Sequence, residues 1–322
     1  MRIPKYLSPT SLHLFMDSPE DFYMRYLCDT RQVRDPQTKP MSIGSSFDAY
    51  CKSYLFYALF GNKIKGSPYE LDTIFETQVE PHNRDWAREH GKIVFGEYRS
   101  SGCVADLMLE LNQSIGDPRF ELSIQDSIET SIGEVPILGK PDVFFINSKG
   151  ARVVYDWKVN GYCANRTTSP MKGYVKLKTR KNGSWDWKQH RDCVSLQFKG
   201  ITINAATFLE DCNSSWADQL AIYSWLLGEP IGSEEVIFGI DQIVGPADKL
   251  RFAQHRLRIR PEYHYNLLEL LVHIWDCIQK RHIFQDMSIE DSRNRCELLE
   301  EYAATIIEQS PEDKAKFNFI PE

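Results

Sequence analysis

The chain has eight cysteines, and none of them falls in a CxxC pair. The spacing on which zinc ribbons and thioredoxin-type redox sites depend is therefore missing. Also missing are a GxxxxGK[ST] stretch, an internal repeat, a low-complexity segment and any apolar run of membrane-spanning length. These absences argue against a fused nucleotide-driven motor, a solenoid and a transmembrane helix. Met1-Arg2-Ile3-Pro4-Lys5 opens no secretory signal, so the expectation is a cytoplasmic protein with reduced thiols, several of them buried. Net positive charge is lacking as well: 38 Lys and Arg against 45 Asp and Glu give −7. A uniformly basic coat for nucleic acid is excluded, and any polyanion would have to meet a local basic patch.

What the 322 residues do contain is an ordinary globular composition, long enough to bury a large core. Ser8-Pro9-Thr10-Ser11 reads as a helix start, with Ser8 as N-cap and Pro9 at the first helical position. Ser18-Pro19-Glu20-Asp21 restarts a helix, and the polar run from Arg31 to Lys39 reads as a loop. Gly44-Ser45-Ser46-Phe47-Asp48 opens another helix, and residues 72–115 look helical. Strand character then runs through Glu121–Ile132, Val135–Ile146 and Arg152–Trp157, with a further strand over Ser195–Asn204. A clear helix, Ser215–Leu227, ends at Gly228; strands over Val236–Val244 and Phe252–Ile259 follow, and Pro261 starts a long amphipathic helix. This order predicts an α/β fold with a central mixed β-sheet flanked by helices and helical N- and C-terminal additions. A single domain over 1–322 is expected, with a helical part at 1–115, a core at 116–260 and C-terminal helices at 261–322.

The most informative stretch is GKPDVFFINSKGARVVYDWKVNG, Gly139 to Gly161. Asp142 precedes the apolar run Val143–Ile146, and Asp156 follows Val153-Val154-Tyr155. Asn147-Ser148-Lys149-Gly150 between them has hairpin-turn chemistry. Two carboxylates and the Lys158 ammonium thus ride on adjacent strands, and Asp156 and Lys158, two apart, share a face. Such a set suits a metal site with a positioned cation, the chemistry of phosphodiester hydrolysis. Read alone, the pair fits equally well a charge pair on a solvated sheet face. DxK is a weak signal in itself, because Asp186-Trp187-Lys188 repeats it in what reads as a loop. Gln219 and Tyr223, four apart, share one face of the predicted helix, where a satisfied hydrogen-bonding pair is the plain alternative. Asp48, at a predicted helix start, is favourable to the macrodipole and needs no function to explain it.

Taken together these segments resemble the PD-(D/E)xK nuclease superfamily, and within it the RecB/Cas4-like exonuclease group. Ser8–Leu12 through Ser18–Phe22 resembles the N-terminal helical signature, and Gly44 to Asp48 the helix that usually carries a histidine ligand. Pro141-Asp142 and Asp156-Trp157-Lys158 resemble the catalytic core, and Gln219 to Tyr223 the QxxxY motif. The resemblance covers about residues 8–228 and implies a restriction-endonuclease-like core. It departs from the family at Asp48, which stands where the histidine is usual, and in lacking the cysteines of an iron–sulfur cluster, so no cluster is expected.

The resemblance implies Mg²⁺ or Mn²⁺ held by Asp48, Asp142, Asp156 and the Trp157 carbonyl, with Asp142, Asp156 and Lys158 catalytic. Gln219 and Tyr223 would hold the DNA backbone or organise the site. The basic segment within 162–193 carries Lys176, Lys178, Arg180 and Lys181 with Trp185 and Trp187 interleaved, which suits phosphates and stacked bases. A solvated basic loop whose tryptophans pack on the body fits the same residues. The implied activity is a metal-dependent deoxyribonuclease, an exonuclease acting on DNA ends or single strands in recombination or repair. The implied setting is a phage, with host cytoplasm as location and a recombination or replication protein as a further partner. Two other readings stay open: an inactive nuclease fold that binds DNA or scaffolds, and an RNA-directed nuclease. Residues 229–322 are expected to complete the sheet edge and wrap it with helices.

Overall fold

The computed structural model describes residues 2–28, 35–131, 133–164, 174–178, 185–189, 194–198, 201–211, 213–231, 233, 235–248 and 250–281, with the strands between 174 and 207 described as backbone only. Ser8 starts the first helix as predicted. Its Oγ accepts the Ser11 N–H at 3.2 Å, and the Ser11 hydroxyl oxygen accepts the Ser8 N–H at 2.8 Å. Helix α1 (Pro9–Asp17) is followed by α2 (Pro19–Phe22), again capped by a serine, Ser18, and then by a π-helical turn at Tyr23–Leu27.

Helix α3 (Lys39–Phe60) begins at Lys39 and not at Gly44. Pro40 sits in its first turn, where a missing N–H costs nothing. Gly44 and Asp48 therefore lie inside the helix, and the expectation of Asp48 as a helix-start carboxylate is wrong. Ser46 serves packing: its Oγ donates to the Ala87 carbonyl at 2.6 Å, and a Cβ on Gly91 would collide with it. Helices α4 (Leu71–Gln78), α5 (Arg84–Ser100) and α6 (Cys103–Asn112) complete this half.

The strands are β1 (Arg119–Phe120), β2 (Ile124–Thr130), β3 (Gly133–Gly139), β4 (Val143–Ile146), β5 (Arg152–Asn160), β6 (Tyr174–Lys178), β7 (Trp185–Gln189), β8 (Val194–Phe198) and β9 (Ile201–Phe208). Helix α7 (Ser214–Leu226), β10 (Val236–Val244), β11 (Arg251–Arg258) and α8 (Pro261–Lys280) follow. Seven strands form one mixed sheet in the order β1-β4-β5-β10-β11-β9-β8, with β5–β10 and β11–β9 parallel. The expected α/β fold, a mixed sheet flanked by helices, is what the chain adopts.

Four expectations are corrected. Residues 135–146 are not one strand but belong to β3 and β4, which lie in different sheets with Asp142 in the break between them. Residues 195–204 are not one strand but parts of the antiparallel pair β8 and β9. Strand β10 lies mid-sheet beside β5, not at an edge; its almost unbroken burial is that of a strand covered on both faces. The basic segment is not all loop: β6 and β7 form a separate two-stranded ribbon that includes Asp186-Trp187-Lys188. Both strands do alternate, Val-Lys-Leu-Lys and Trp-Asp-Trp-Lys, but each run is short and set among lysines, asparagine, glycine and serine, so the segment reads as loop.

Two apolar layers sandwich the sheet. Leu220, Ala221 and Leu271 from α7 and α8 pack on Val154, Phe238 and Ile240. Phe47, Val94 and Leu107 from α3, α5 and α6 pack on Val143, Val153 and Tyr155. Two histidines are buried without charge. Burial, with Arg256 beside it, lowers His255 to about 4, and burial lowers His264 to about 4. Their folded pKa lies below the ordinary 6.5, so the unfolded chain binds more protons between those values. The stability these two histidines contribute is therefore complete above pH 6.5 and falls as pH drops towards 4. The stability advantage of wild type over His264→Gln, if that variant folds, should shrink by up to about 1.4 kcal/mol per pH unit between pH 7 and 5 in urea unfolding; the buried carboxylates Asp48 and Asp156, which are raised and act with the opposite sign, cancel in that difference.

Candidate functional site

Strand β5 alternates across the sheet. Tyr155 and Trp157 face the α3 layer, while Val154, Asp156 and Lys158 face α7. Strand β4 pairs antiparallel with β5 through Val143 and Tyr155, so Asp142, one residue before β4, arrives beside Asp156. The Trp157 N–H donates to Asp142 Oδ2 at 3.2 Å and pins that carboxylate to the strand. The turn 147–150 that brings the strands together is the predicted hairpin: Asn147 Oδ1 accepts the N–H groups of Lys149 and Ala151 at 3.0 and 2.9 Å.

Lys158 is held on two sides. Its ammonium pairs with Asp156 and donates to Gln219 Oε1 at 2.8 Å. Gln219 Nε2 in turn donates to the Tyr223 hydroxyl at 2.9 Å. The four-residue spacing on α7 thus builds a chain from Tyr223 through Gln219 to Lys158. Tyr223 is buried, which suits organising the site better than meeting a ligand directly. Gly139 lets α7 come this close, since a Cβ there would meet Tyr223 and Leu226 at 2.5 to 2.9 Å.

On the other side stands a residue that the motif reading passed over. Lys52, 1% exposed, donates to Asp48 Oδ2 at 2.7 Å, Glu121 Oε1 at 2.9 Å and Asp142 Oδ1 at 3.1 Å. Gln78 Nε2 donates to the same Asp48 and Glu121 oxygens at 2.8 and 2.9 Å. A cavity of about 430 Å³ opens here, lined among others by Asp48, Lys52, Gln78, Glu121, Asp142 and Trp157. Lys52 could have been found from its place one turn after Asp48. Glu121 and Gln78 carry no motif; only the fold brings them in.

The charges decide the protonation. Asp142 is desolvated, yet Lys52, Lys158 and the Trp157 N–H outweigh that and hold it down at about 2. Asp156 is pushed well above the carboxylate range, first by burial and then by the Asp142 charge. Asp48 is raised to about 7 by burial, against the pull of Lys52. Lys52 would lose charge by burial alone, but the three carboxylates raise it well above its ordinary value.

The donors suit a hard divalent cation: they are all oxygen, Asp48 Oδ1 is buried without a hydrogen-bond partner, and an ammonium already stands among them. As the side chains lie, with Lys52 in place, no three histidine, cysteine or carboxylate groups among the described residues form a ready metal site. The Lys52 ammonium is at the point where Asp48, Glu121 and Asp142 converge.

Of the residues expected to meet DNA, Arg180 and Lys181 lie outside the described residues. Lys176 and Lys178 fall on β6, and Trp185 and Trp187 on β7, with Lys176 opposite Trp187 and Lys178 opposite Trp185. Among the described residues, no helix is long and apolar enough to cross a membrane. Among the described residues, Cys28, Cys51, Cys103, Cys163 and Cys277 are in no disulfide, and all but Cys163 are buried.

No family model matches the chain, and neither does any curated protein. A crystal structure of SSO0001 aligns over 87% of this chain and 93% of its own, at 11% identity and a TM-score of 0.27, and carries no argument about fold or function.

Proposed function

We propose that the protein is a divalent-metal-dependent DNA nuclease that processes ends or single strands. The observation that carries the reading is the convergence of Asp142, Asp156 and Lys158, with Lys158 aimed by the Gln219–Tyr223 relay. Asp48, Asp142 and Asp156 would hold Mg²⁺ or Mn²⁺, and the Trp157 carbonyl is a further candidate donor. A bound metal would supply a water of lowered pKa and positive charge for the scissile phosphate. Lys158 would orient the attacking water and stabilise the charge developing on the phosphate. Gln219 and Tyr223 keep its ammonium in place. The β6–β7 ribbon, with Lys176 opposite Trp187 and Lys178 opposite Trp185, suits a polyanion with exposed bases. RNA as substrate, or binding without cleavage, would leave the same donors in place and is decided by the assay.

End-labelled single- and double-stranded DNA, with RNA as comparison, should be cut in Mg²⁺ or Mn²⁺ but not in EDTA. Lys158→Ala should lower the rate by at least about 10²-fold, whereas Lys188→Ala, in the second DWK, should keep it within about three-fold. DNA binding without cleavage by the wild type in either metal would sink the nuclease reading in favour of an inactive binding module.

A further inference from the structure

Lys52 has no part in the reading above, yet it is the most enclosed charge in the centre. Three carboxylates from three parts of the chain, α3, the Glu121 corner and the Asp142 approach to β4, meet at its ammonium. At 1% exposure, no water can take its place while it stays. Gln78 ties Asp48 to Glu121 from the other side. Glu121 itself sits at φ 47, a left-handed conformation that a non-glycine residue adopts only at a cost. The backbone strain is spent in bringing one more carboxylate to this point.

We propose that the Lys52 ammonium is the resident cation of the centre, filling a divalent-cation seat made by Asp48, Glu121 and Asp142, so that a metal enters this seat only as Lys52 leaves. The inference rests on the nuclease reading for its purpose, but not for its geometry. An ammonium donates three hydrogen bonds, and a hard divalent cation takes the same oxygens. The two cannot share them, so each metal bound must break three charge-assisted contacts. The cavity beside Asp48 gives the side chain somewhere to go. In the absence of metal, Lys52 keeps three carboxylates from repelling one another and holds the ligands near their working positions. Glu121 then becomes a metal ligand that no sequence motif marks.

The test is Mn²⁺ titration of the full chain, followed by the electron paramagnetic resonance signal of the free ion. Lys52→Met should bind Mn²⁺ at least about ten-fold more tightly than wild type, because the competing cation is gone. Lys52→Arg retains the charge and should stay within about three-fold of wild type. Lys158→Met, which removes a charge of the same sign beside Asp156, measures the general field effect and should tighten binding by no more than about three-fold. Glu121→Gln in the Lys52→Met background should give back most of the gain. Lys52→Gln covers the case in which the methionine variant does not fold, and melting temperature with and without Mn²⁺ reads the same competition, with a larger rise than in wild type expected. Binding by Lys52→Met or Lys52→Gln no tighter than by Lys158→Met would overturn the proposal, as would a gain that survives Glu121→Gln. Wild-type cleavage with no such gain removes the inference alone; a gain with cleavage in no variant removes the nuclease reading alone.

Discussion

Asp142→Asn is expected to reduce metal-dependent DNA cleavage by about 10³-fold or more, the largest functional effect of any single substitution considered. The reason lies in how many things one carboxylate does. Oδ2 accepts the Trp157 N–H, Oδ1 accepts from Lys52, and the pair faces Asp156 across the β4–β5 hairpin. Its charge is secured, since Lys52 and Lys158 hold it ionised well below neutral pH. Asparagine keeps the shape and can still accept from Trp157, so the fold should persist. It removes a negative charge placed between Lys52 on one side and Asp156 with Lys158 on the other. A circular-dichroism melt close to wild type, read beside the cleavage rate, separates lost chemistry from lost structure. Cleavage by folded Asp142→Asn within ten-fold of wild type would mean that the reaction, if there is one, takes place elsewhere.

Strand-borne parts of this centre were legible in the sequence because periodicity reports faces. Asp156 and Lys158 two apart, an Asn-initiated turn, and Asp142 ahead of a Val-Phe-Phe-Ile run are enough to place three side chains together. Gln219 and Tyr223 were legible for the same reason at helical spacing. What they do was less so: that Gln219 reaches Lys158 depends on how closely α7 packs, and that closeness depends on Gly139. Glu121 and Gln78 were not legible at all, since tertiary packing alone carries them 43 residues apart in the chain to a shared contact. Lys52 was half legible, one turn from Asp48, but only burial reveals that it is held by three carboxylates at once. The start of α3 is not legible because Gly44 and the serines after it read as a cap, while Ser46 packs closely against α5 and Ser45 accepts from Gln37. The β6–β7 ribbon is hard to read because its two alternating runs, Val-Lys-Leu-Lys and Trp-Asp-Trp-Lys, are only a few residues long and lie in a basic, glycine- and serine-bearing segment.

Behind the centre lies a second polar cluster, and Asp241→Ala there should cost more stability than any substitution in the site, about 3–5 kcal/mol. Asp241 is 1% exposed, on β10 opposite Trp157 in the parallel register. It accepts the Tyr98 hydroxyl, Gln254 Nε2 at 3.3 Å and the Arg256 guanidinium at 3.4 Å. Alanine would take the acceptor from the Tyr98 hydroxyl and Gln254 Nε2 and one of the acceptors from Arg256. Arg256 would retain Glu110 at 2.9 Å and the Tyr155 ring, so the guanidinium is not left bare, which keeps the loss from being larger. Asp241→Asn retains an acceptor and should cost less than half as much. The cluster also reaches the site: the Trp157 indole donates to the Tyr98 hydroxyl at 3.2 Å, and Trp157 lies between Asp156 and Lys158 in the chain. Loosening Tyr98 therefore frees the strand that sets both groups. Urea midpoints for wild type, Asp241→Asn and Asp241→Ala should fall in that order, with Mn²⁺ affinity falling in parallel. A loss below about 1 kcal/mol for the alanine variant would show that the three donors find other acceptors and that this cluster holds neither the sheet nor the site.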